Sequence, residues 1–168
     1  VPVENRIGEE GQGMKVAFSV LDRGRFHISS LCVGIAERLI SDMSNYATER
    51  EQFGKPIAEH QLVMGLMADS YAEALAGRSM VLQGAQKFDA GEKINLLASA
   101  TKMFCSEMVG RVADRAVQVY GGAGYIADYG VERFYRDVRI LRLYEGTTQI
   151  QQMIIGRELA RMARNDEI

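Results

Sequence analysis

The sequence predicts an all-α fold, an antiparallel up-down-up-down bundle of four long helices. Apolar residues recur at spacings of three, four or seven over long stretches, which is the period of a helix with one buried face. The two prolines, Pro2 and Pro56, lie outside those stretches, as long helices require. Short connections between successive helices place neighbouring helices antiparallel.

Residues 1–12 are interpreted as the remnant of a preceding domain or linker, and residues 13–168 as the helical bundle. The segment begins with a β-compatible piece that contains Pro2 and ends in a turn, which is an uncommon start for a complete domain. The length of 168 residues is enough for one domain with a substantial core.

Gly and Pro residues divide the predicted helices. The long helices are expected at residues 13–49, 57–88, 92–120 and 147–164, with a short one at 131–139. Breaks are expected at Phe53–Pro56, Asp89–Gly91 and Gly121–Gly124. Residues 140–144 are expected to be extended.

The apolar positions of each long helix should face the core. In the first helix they are Phe18, Leu21, Ile28, Leu31, Cys32, Ile35 and Leu39. In the second they are Met64, Met67, Tyr71 and Leu75. In the third they are Ile94, Leu97, Phe104, Met108 and Val112, and in the last Ile150, Met153, Ile154 and Leu159.

Composition excludes several classes of function. The net charge is −2, and acidic and basic residues are interspersed, so nothing predicts a nucleic acid or an anionic membrane as partner. No apolar run is long enough to span a bilayer. Cys32 and Cys105 each fall within an apolar helical pattern, which indicates two buried reduced thiols rather than a disulfide framework.

Two familiar kinds of site do not fit. A di-iron bundle needs Glu three residues before His, and neither His27 nor His60 has one, so no metal is expected. Residues 122–127 match G-x-G-x-x-A, but a dinucleotide-binding loop needs a preceding strand, and a long helix precedes this one. The glycines are consistent with a helix-terminating turn, whose bare backbone would also let a ligand come close.

An isolated carboxylate, Glu145, lies between the apolar run 140–144 and the start of the last helix. An acidic residue there can simply offset the helix dipole. A catalytic role is the alternative, and the residues taken alone leave both open.

Read together, three segments resemble the acyl-CoA dehydrogenase family over essentially the whole chain. Arg50-x-x-Phe53-Gly54 resembles its flavin-contacting motif, and Tyr144–Thr147 resembles the segment with the catalytic base. Its C-terminal signature is matched by residues 118–125 with Asp128, Arg133 and Asp137. The implied fold is the C-terminal domain of such an enzyme, and residues 1–12 resemble the end of its middle β-domain.

The family oxidises an acyl-CoA thioester to the trans-2-enoyl-CoA. A base removes the α-proton while the β-hydrogen leaves as hydride to N5 of FAD. The resemblance makes Glu145 the base, with its backbone N–H holding the thioester oxygen, a role that needs both a carboxylate and a hydrogen-bond donor. Some members place the base on the first helix, but that position is Gly24 here, which favours Glu145.

The resemblance also implies binding residues. Implied FAD contacts are Arg50, Gln52, Phe53, Gln61, Gln118, Gly121, Gly122, Thr147 and Gln149. Implied acyl-CoA contacts are Asp22, Arg25, Tyr144, Gly146 and Arg157.

Several of these residues have simpler explanations that remain open. Phe53 could be an interhelical plug and Thr147 a helix N-cap. Asp22 with Arg25 could be an exposed ion pair, and Arg157 could be an ordinary surface residue.

The guanidinium of Arg50 suits the FAD pyrophosphate. By resemblance, Gln118, Gly121 and Gly122 approach the flavin of a neighbouring subunit, and Thr147 and Gln149 that of the same chain. A homotetramer, a dimer of dimers, is therefore implied. The implied electron acceptor is an electron-transferring flavoprotein, and the implied pathway is fatty acid β-oxidation.

Two other functions remain open: an acyl-CoA oxidase that uses oxygen, and a non-catalytic helical oligomerisation domain. The family's N-terminal helical domain and middle β-domain are not in this sequence, so the isolated chain is expected to be inactive and to bind FAD poorly. Bacterial cytoplasm and mitochondrial matrix both fit, and acyl-chain preference is not fixed by these residues.

Overall fold

The computed structural model describes residues 1–167, and most of them are helical. The helices are α1 (Gly13–Ser19), α2 (Leu21–Glu49), α3 (Gln61–Asp89), α4 (Asn95–Tyr120), α5 (Gly122–Tyr125), α6 (Val131–Asp137) and α7 (Thr148–Arg164). Two short antiparallel strands, β1 (Glu51–Gln52) and β2 (Lys55–Pro56), form a hairpin between α2 and α3. Turns of 3₁₀ helix lie at Val3–Asn5, Ile57–Glu59, Ala127–Tyr129 and Val138–Arg142.

Helix α4 is the centre of the bundle, because it packs against α2, α3 and α7. Its buried row contains Cys105, Val109, Val112, Ala116 and Val119, which share one core cluster with Cys32, Leu39 and Met43 of α2. The predicted all-α bundle is confirmed, with α2, α3, α4 and α7 as its long helices. No helix within residues 1–167 combines the length and apolar character of a membrane span.

Both cysteines are buried and unpaired, as the sequence predicts. Burial raises the pKa of each thiol to about 12, so Cys32 and Cys105 stay protonated at neutral pH. They serve as small apolar core residues between α2 and α4.

Helix α3 packs differently from the prediction. Its buried residues are all small, namely Ser70, Ala74, Gly77 and Gly84. Met64, Tyr71 and Leu75, which were expected to face the core, are exposed, and so is Leu82. Because the residues on its inner face are small, α3 can approach α2 and α4 closely. Its large apolar side chains lie on the opposite, outer face, where they form a stripe. We call Met64, Tyr71, Leu75 and Leu82 the α3 stripe.

The first predicted helix is interrupted. It breaks at Val20, which separates α1 from α2, and α1 buries none of its residues. Phe18 and Leu31 are therefore exposed rather than in the core. In the last helix, Ile150, Met153 and Leu159 are likewise exposed, while Gln151 is the buried residue of that helix.

Several boundaries also differ from the sequence expectation. Helix α3 begins at Gln61, after the 3₁₀ turn, and α4 begins at Asn95. The segment 140–144 is not extended: it continues a 3₁₀ turn that buries Val138 and Leu141, which are three residues apart.

The Gly-rich segment also folds unexpectedly, because it forms one helical turn, α5. Gly124 of α5 lies so close to the end of α4 that a Cβ there would be 2.8 Å from the carbonyl oxygen of Val117.

The close contact between α2 and α3 can be tested by substitution. A Cβ added at Gly84 would lie 2.0 Å from the Phe26 ring, so Gly84→Ala should destabilise the fold by about 1–3 kcal/mol. In urea unfolding followed by circular dichroism, Gly65→Ala is the matched control, because position 65 of α3 faces open space. That control should stabilise by about 0.5–1 kcal/mol. Equal effects of the two substitutions would contradict this packing.

Candidate active site around Glu145

Glu145 lies in a tight loop between the 3₁₀ turn and α7. The backbone φ is +55° at Glu145 and +87° at Gly146, so two successive residues are left-handed. The Thr147 side chain accepts a hydrogen bond from the Ile150 N–H at 3.3 Å, and this N-cap, foreseen in the sequence, starts α7. A left-handed non-glycine residue costs about 1–3 kcal/mol, so the loop needs support from its surroundings.

Two buried side chains supply that support. Lys102 of α4 donates through Nζ to the Gly146 carbonyl at 2.7 Å. Gln151 of α7 donates through Nε2 to the carbonyls of Glu145 at 3.0 Å and Gly146 at 3.2 Å. Both side chains are 0% exposed. Burial lowers the pKa of Lys102, and the Cys32, Glu107 and Glu145 side chains nearby oppose that effect.

Neither Lys102 nor Gln151 was recognised from the sequence, although Lys102 left a signal. It lies four residues after Ala98 and three before Cys105, and therefore on the buried row of α4. A lysine on a core stripe must find a partner for its charge. Gln151 gives no comparable signal, because Ile150, Met153 and Leu159 fit an apolar face of α7 better than a glutamine does.

A second pair of contacts joins α7 to α4. Thr148 Oγ1 donates to Glu107 Oε1 at 2.6 Å. Arg142 Nη1 donates to Glu107 Oε2 at 3.1 Å and so ties the 3₁₀ turn to the same carboxylate. These bonds join the 3₁₀ turn and α7 to α4 and do not involve the carbonyls of Glu145 and Gly146.

The Glu145 carboxylate lies against the start of α2. A Cβ at Gly24 would be 2.7 Å from Glu145 Oε2, so the missing side chain at position 24 leaves the space that the carboxylate occupies. Oε2 is buried and has no hydrogen-bond partner within residues 1–167. The backbone N–H of Glu145 also donates no backbone hydrogen bond to any of those residues. Glu145 therefore offers both an unpaired acceptor, the carboxylate oxygen Oε2, and an unpaired donor, its own backbone N–H.

Arg25 follows Gly24 and contributes a buried cation. Its Nη1 donates to Asp22 Oδ1 at 2.8 Å and to Ser99 Oγ at 3.4 Å, while Asp22 Oδ2 accepts from Asn95. Arg25 is only 8% exposed, so the alternative of an exposed Asp–Arg pair is wrong.

Three further predicted residues lie around this loop or beyond it. Tyr144 is partly exposed, and burial together with the nearby Cys32 and Glu145 raises the pKa of its phenol. Gln149 is exposed in the first turn of α7. Arg157 is exposed nine residues beyond Thr148, about 14 Å along the axis of α7, so it is not brought next to Glu145.

The other predicted FAD contacts gather at a second place. Arg50, Gln52, Gly121 and Gly122 line one cleft of about 460 Å³, beside Tyr120. Gly121 has φ +59° and ψ −136°, a conformation that favours glycine, and a Cβ at Gly122 would meet nothing. Arg50 is exposed and forms no ion pair within residues 1–167. A free guanidinium over bare backbone suits the phosphates of a dinucleotide.

The remaining contacts lie beside that cleft. Gln52, Phe53 and Gln61 line an adjoining groove of about 680 Å³. Phe53 is 95% exposed and meets His60 edge-on, so it is not an interhelical plug. Gln118 is exposed in the last turn of α4, where its carbonyl accepts from the Gly121 N–H.

The Glu145 loop meets the N-terminal half of α4, whereas the cleft that contains Arg50, here called the Arg50 cleft, lies at the C-terminal end of that helix. Lys102 supports the loop, and Tyr120 lines the cleft. These residues are 18 positions apart on one helix, which corresponds to about 27 Å. One chain therefore keeps the two groups of predicted cofactor contacts apart.

A wider cleft of about 960 Å³ lies between α4 and residues 135–142. It includes Glu107 and Arg142, which pair with each other, and Arg111 and Arg115, which both pair with Glu73, but it does not include Glu145. Chemistry, rather than size, therefore favours the Glu145 loop as the candidate active site.

Comparison with known proteins gives one consistent result. Residues 11–160 match the family model described as acyl-CoA dehydrogenase, C-terminal domain. Cyclohexane-1-carbonyl-CoA dehydrogenase of Syntrophus aciditrophicus is 40% identical over 159 residues, which is 95% of this chain and 41% of that protein. A caffeyl-CoA reductase–Etf complex subunit of Acetobacterium woodii is 40% identical over 93% of this chain and 41% of its own length.

A solved structure shows the same fold. Butyryl-CoA dehydrogenase from Megasphaera elsdenii superposes with a TM-score of 0.91 at 39% identity, over 95% of this chain and 42% of that one. The chain thus spans about two fifths of the length of the relatives it matches.

The N-cap of α7 provides a test of the loop. Thr147→Ala removes the acceptor for the Ile150 N–H and should destabilise the fold by about 0.5–2 kcal/mol. Thr147→Ser, the control, keeps a hydroxyl and should stay close to wild type in urea unfolding. If alanine matched serine, the cap would contribute nothing.

Proposed function

This chain belongs to the acyl-CoA dehydrogenase family, and we propose that it is the C-terminal domain of an FAD-dependent enzyme that converts acyl-CoA thioesters to trans-2-enoyl-CoA. The observation that supports this most is at Glu145. A buried carboxylate oxygen without a partner and a free backbone N–H occur on the same residue.

The chemistry needs both groups. The α-proton of a thioester is weakly acidic, so its removal requires a base at C2 and stabilisation of the negative charge that develops on the thioester oxygen. Glu145 would accept the proton, and its own N–H would donate to the thioester oxygen. FAD, when bound, supplies an acceptor for the hydride that leaves C3.

The surroundings are suited to that role. Gly24 leaves the space for the carboxylate, and a side chain there would displace it. We assign Asp22, Arg25, Tyr144 and Gly146 to the acyl-CoA site on the same grounds. Arg157, farther along α7, would contact a more distant part of CoA.

The Arg50 cleft fits the phosphates of FAD, but the residues of α4 that meet the Glu145 loop and the cleft, Lys102 and Tyr120, are about 27 Å apart along the helix. We therefore propose that each FAD is shared. Its flavin would lie near Thr147 and Gln149 of one subunit, and its pyrophosphate near Arg50 of another. The exposed α3 stripe offers an apolar surface for assembly, which supports the expected homotetramer.

The direction of the reaction and the redox partner are separate questions. A close relative from Acetobacterium woodii is named as a reductase in a complex with Etf, which supports an electron-transferring flavoprotein as partner and allows the reverse reaction. An acyl-CoA oxidase would use the same base, and oxygen consumption compared with dye reduction separates the two. Bacterial cytoplasm is the proposed location, since these relatives are bacterial.

Glu145→Gln tests the proposal in the intact enzyme, meaning this chain joined to the remaining family domains. Reduction of the flavin by acyl-CoA, followed as loss of its absorbance, should slow by about 10²–10⁴-fold. Assembly, measured by gel filtration, should be unchanged. Glu158→Gln is the control, because it breaks only an exposed pair with Arg161 on α7. An unaffected rate in Glu145→Gln would instead favour a non-catalytic oligomerisation domain.

The 168-residue chain alone should bind FAD poorly. Its two groups of cofactor contacts lie beside different parts of α4, and the family domains that supply most contacts to the flavin ring are not in this sequence. The purified chain should therefore be colourless, as measured by flavin absorbance. Stoichiometric yellow flavin in that preparation would overturn this expectation.

A further inference from the structure

We propose that Lys102 and Gln151 are positioning residues for the reaction, because their hydrogen bonds fix the carbonyls of Glu145 and Gly146 and thereby aim the base. This inference rests on the proposed function of Glu145. It assigns a role to a buried ammonium and a buried amide that the chemistry itself does not use.

The first step of the argument is the backbone. Glu145 and Gly146 both have left-handed φ values, which are unfavourable for the glutamate, so contacts from outside the loop must stabilise this conformation. Because a peptide unit is planar, fixing the Glu145 carbonyl fixes the Gly146 N–H and the setting of the Glu145 Cα. The direction of the Cα–Cβ bond follows from the same hold, and the open space at Gly24 is where the carboxylate then lies.

The second step is the arrangement of donors. Three hydrogen bonds of 2.7, 3.0 and 3.2 Å converge on two adjacent carbonyls from two different helices. Gln151 is packed so tightly that a Cβ at Gly146 would lie 2.5 Å from its Nε2. The loop can neither rotate its carbonyls nor move toward α7 without breaking these contacts.

The third step is the cost of the arrangement. Lys102 is fully enclosed, and burying an ammonium group is unfavourable unless it is well paired. A connection between α4 and α7 does not require it, since Thr148 and Glu107 already join these helices. A charged donor to the Gly146 carbonyl is the stronger choice where the orientation of one peptide must be kept.

The experiment compares three variants of the intact enzyme. Lys102→Met and Gln151→Leu each remove a donor to the loop carbonyls. Thr148→Val is the matched control, because it breaks a bond between the same two helices but contacts neither carbonyl. Flavin reduction is measured with butyryl-CoA or cyclohexane-1-carbonyl-CoA, whichever reduces the wild-type enzyme.

We expect Lys102→Met to lower the limiting rate of flavin reduction about 10-fold or more, because a base displaced by a fraction of an ångström reacts poorly. Gln151→Leu should act in the same direction, and since it changes no charge, it separates position from electrostatics. The half-saturating substrate concentration should stay within about twofold. The primary isotope effect with C2-deuterated substrate should rise as proton removal becomes slower. Thr148→Val should lower only the thermal midpoint.

A purely structural role gives a different result. Lys102→Met and Gln151→Leu would then lower the thermal midpoint and leave the limiting rate and the isotope effect at wild-type values, which overturns the inference. If Lys102→Met does not fold, Gln151→Leu decides by the same readouts. Glu145→Gln, measured alongside, separates the two levels: loss of activity there with full activity in both donor variants rejects only the positioning role.

Discussion

The structure depends on one local constraint: two successive left-handed residues, Glu145 and Gly146, must be kept in a loop between a 3₁₀ turn and α7. Such a conformation persists only where the surroundings determine it more strongly than the local chain does. Here a lysine from the central helix and a glutamine from the following helix both bind the loop carbonyls. Packing of α4 against α7 is therefore a condition for the candidate site and not merely a source of stability.

The rigidity of α4 has a second consequence, at the scale of the assembly. A helix cannot bring its two ends together, so Lys102, which holds the Glu145 loop, and Tyr120, which lines the Arg50 cleft, stay about 27 Å apart along α4. Under the proposed function, a cofactor that needs both must join two subunits. Small residues on the inner face of α3 leave its large apolar side chains outside, where a second subunit would bury them. The small inner residues of α3 thus allow close packing of the core, and its large outer residues form an apolar surface.

Sequence reasoning found the long helices, because their apolar period extends over many turns. It failed for the α3 stripe, since periodicity identifies an apolar face but not what covers it. It missed the 3₁₀ turn at residues 138–142, where a short apolar run fits more than one backbone. Lys102 was overlooked because lysine is usually exposed, although its position on the core row of α4 was visible.

Under the proposed function, Gly24 and Glu145 show that the location of the base depends on space as well as on chemistry. Gly24 lies near the start of α2, and the Glu145 carboxylate packs directly against it. Any side chain at position 24 would enter the volume that the carboxylate fills. The Glu145 carboxylate therefore requires a residue without a side chain at position 24. Lys102 and Gln151 bond to the loop and not to α2. Under the proposed function, a glutamate at position 24 would have none of these contacts, so the residues behind the loop support a base at 145 and not one on α2.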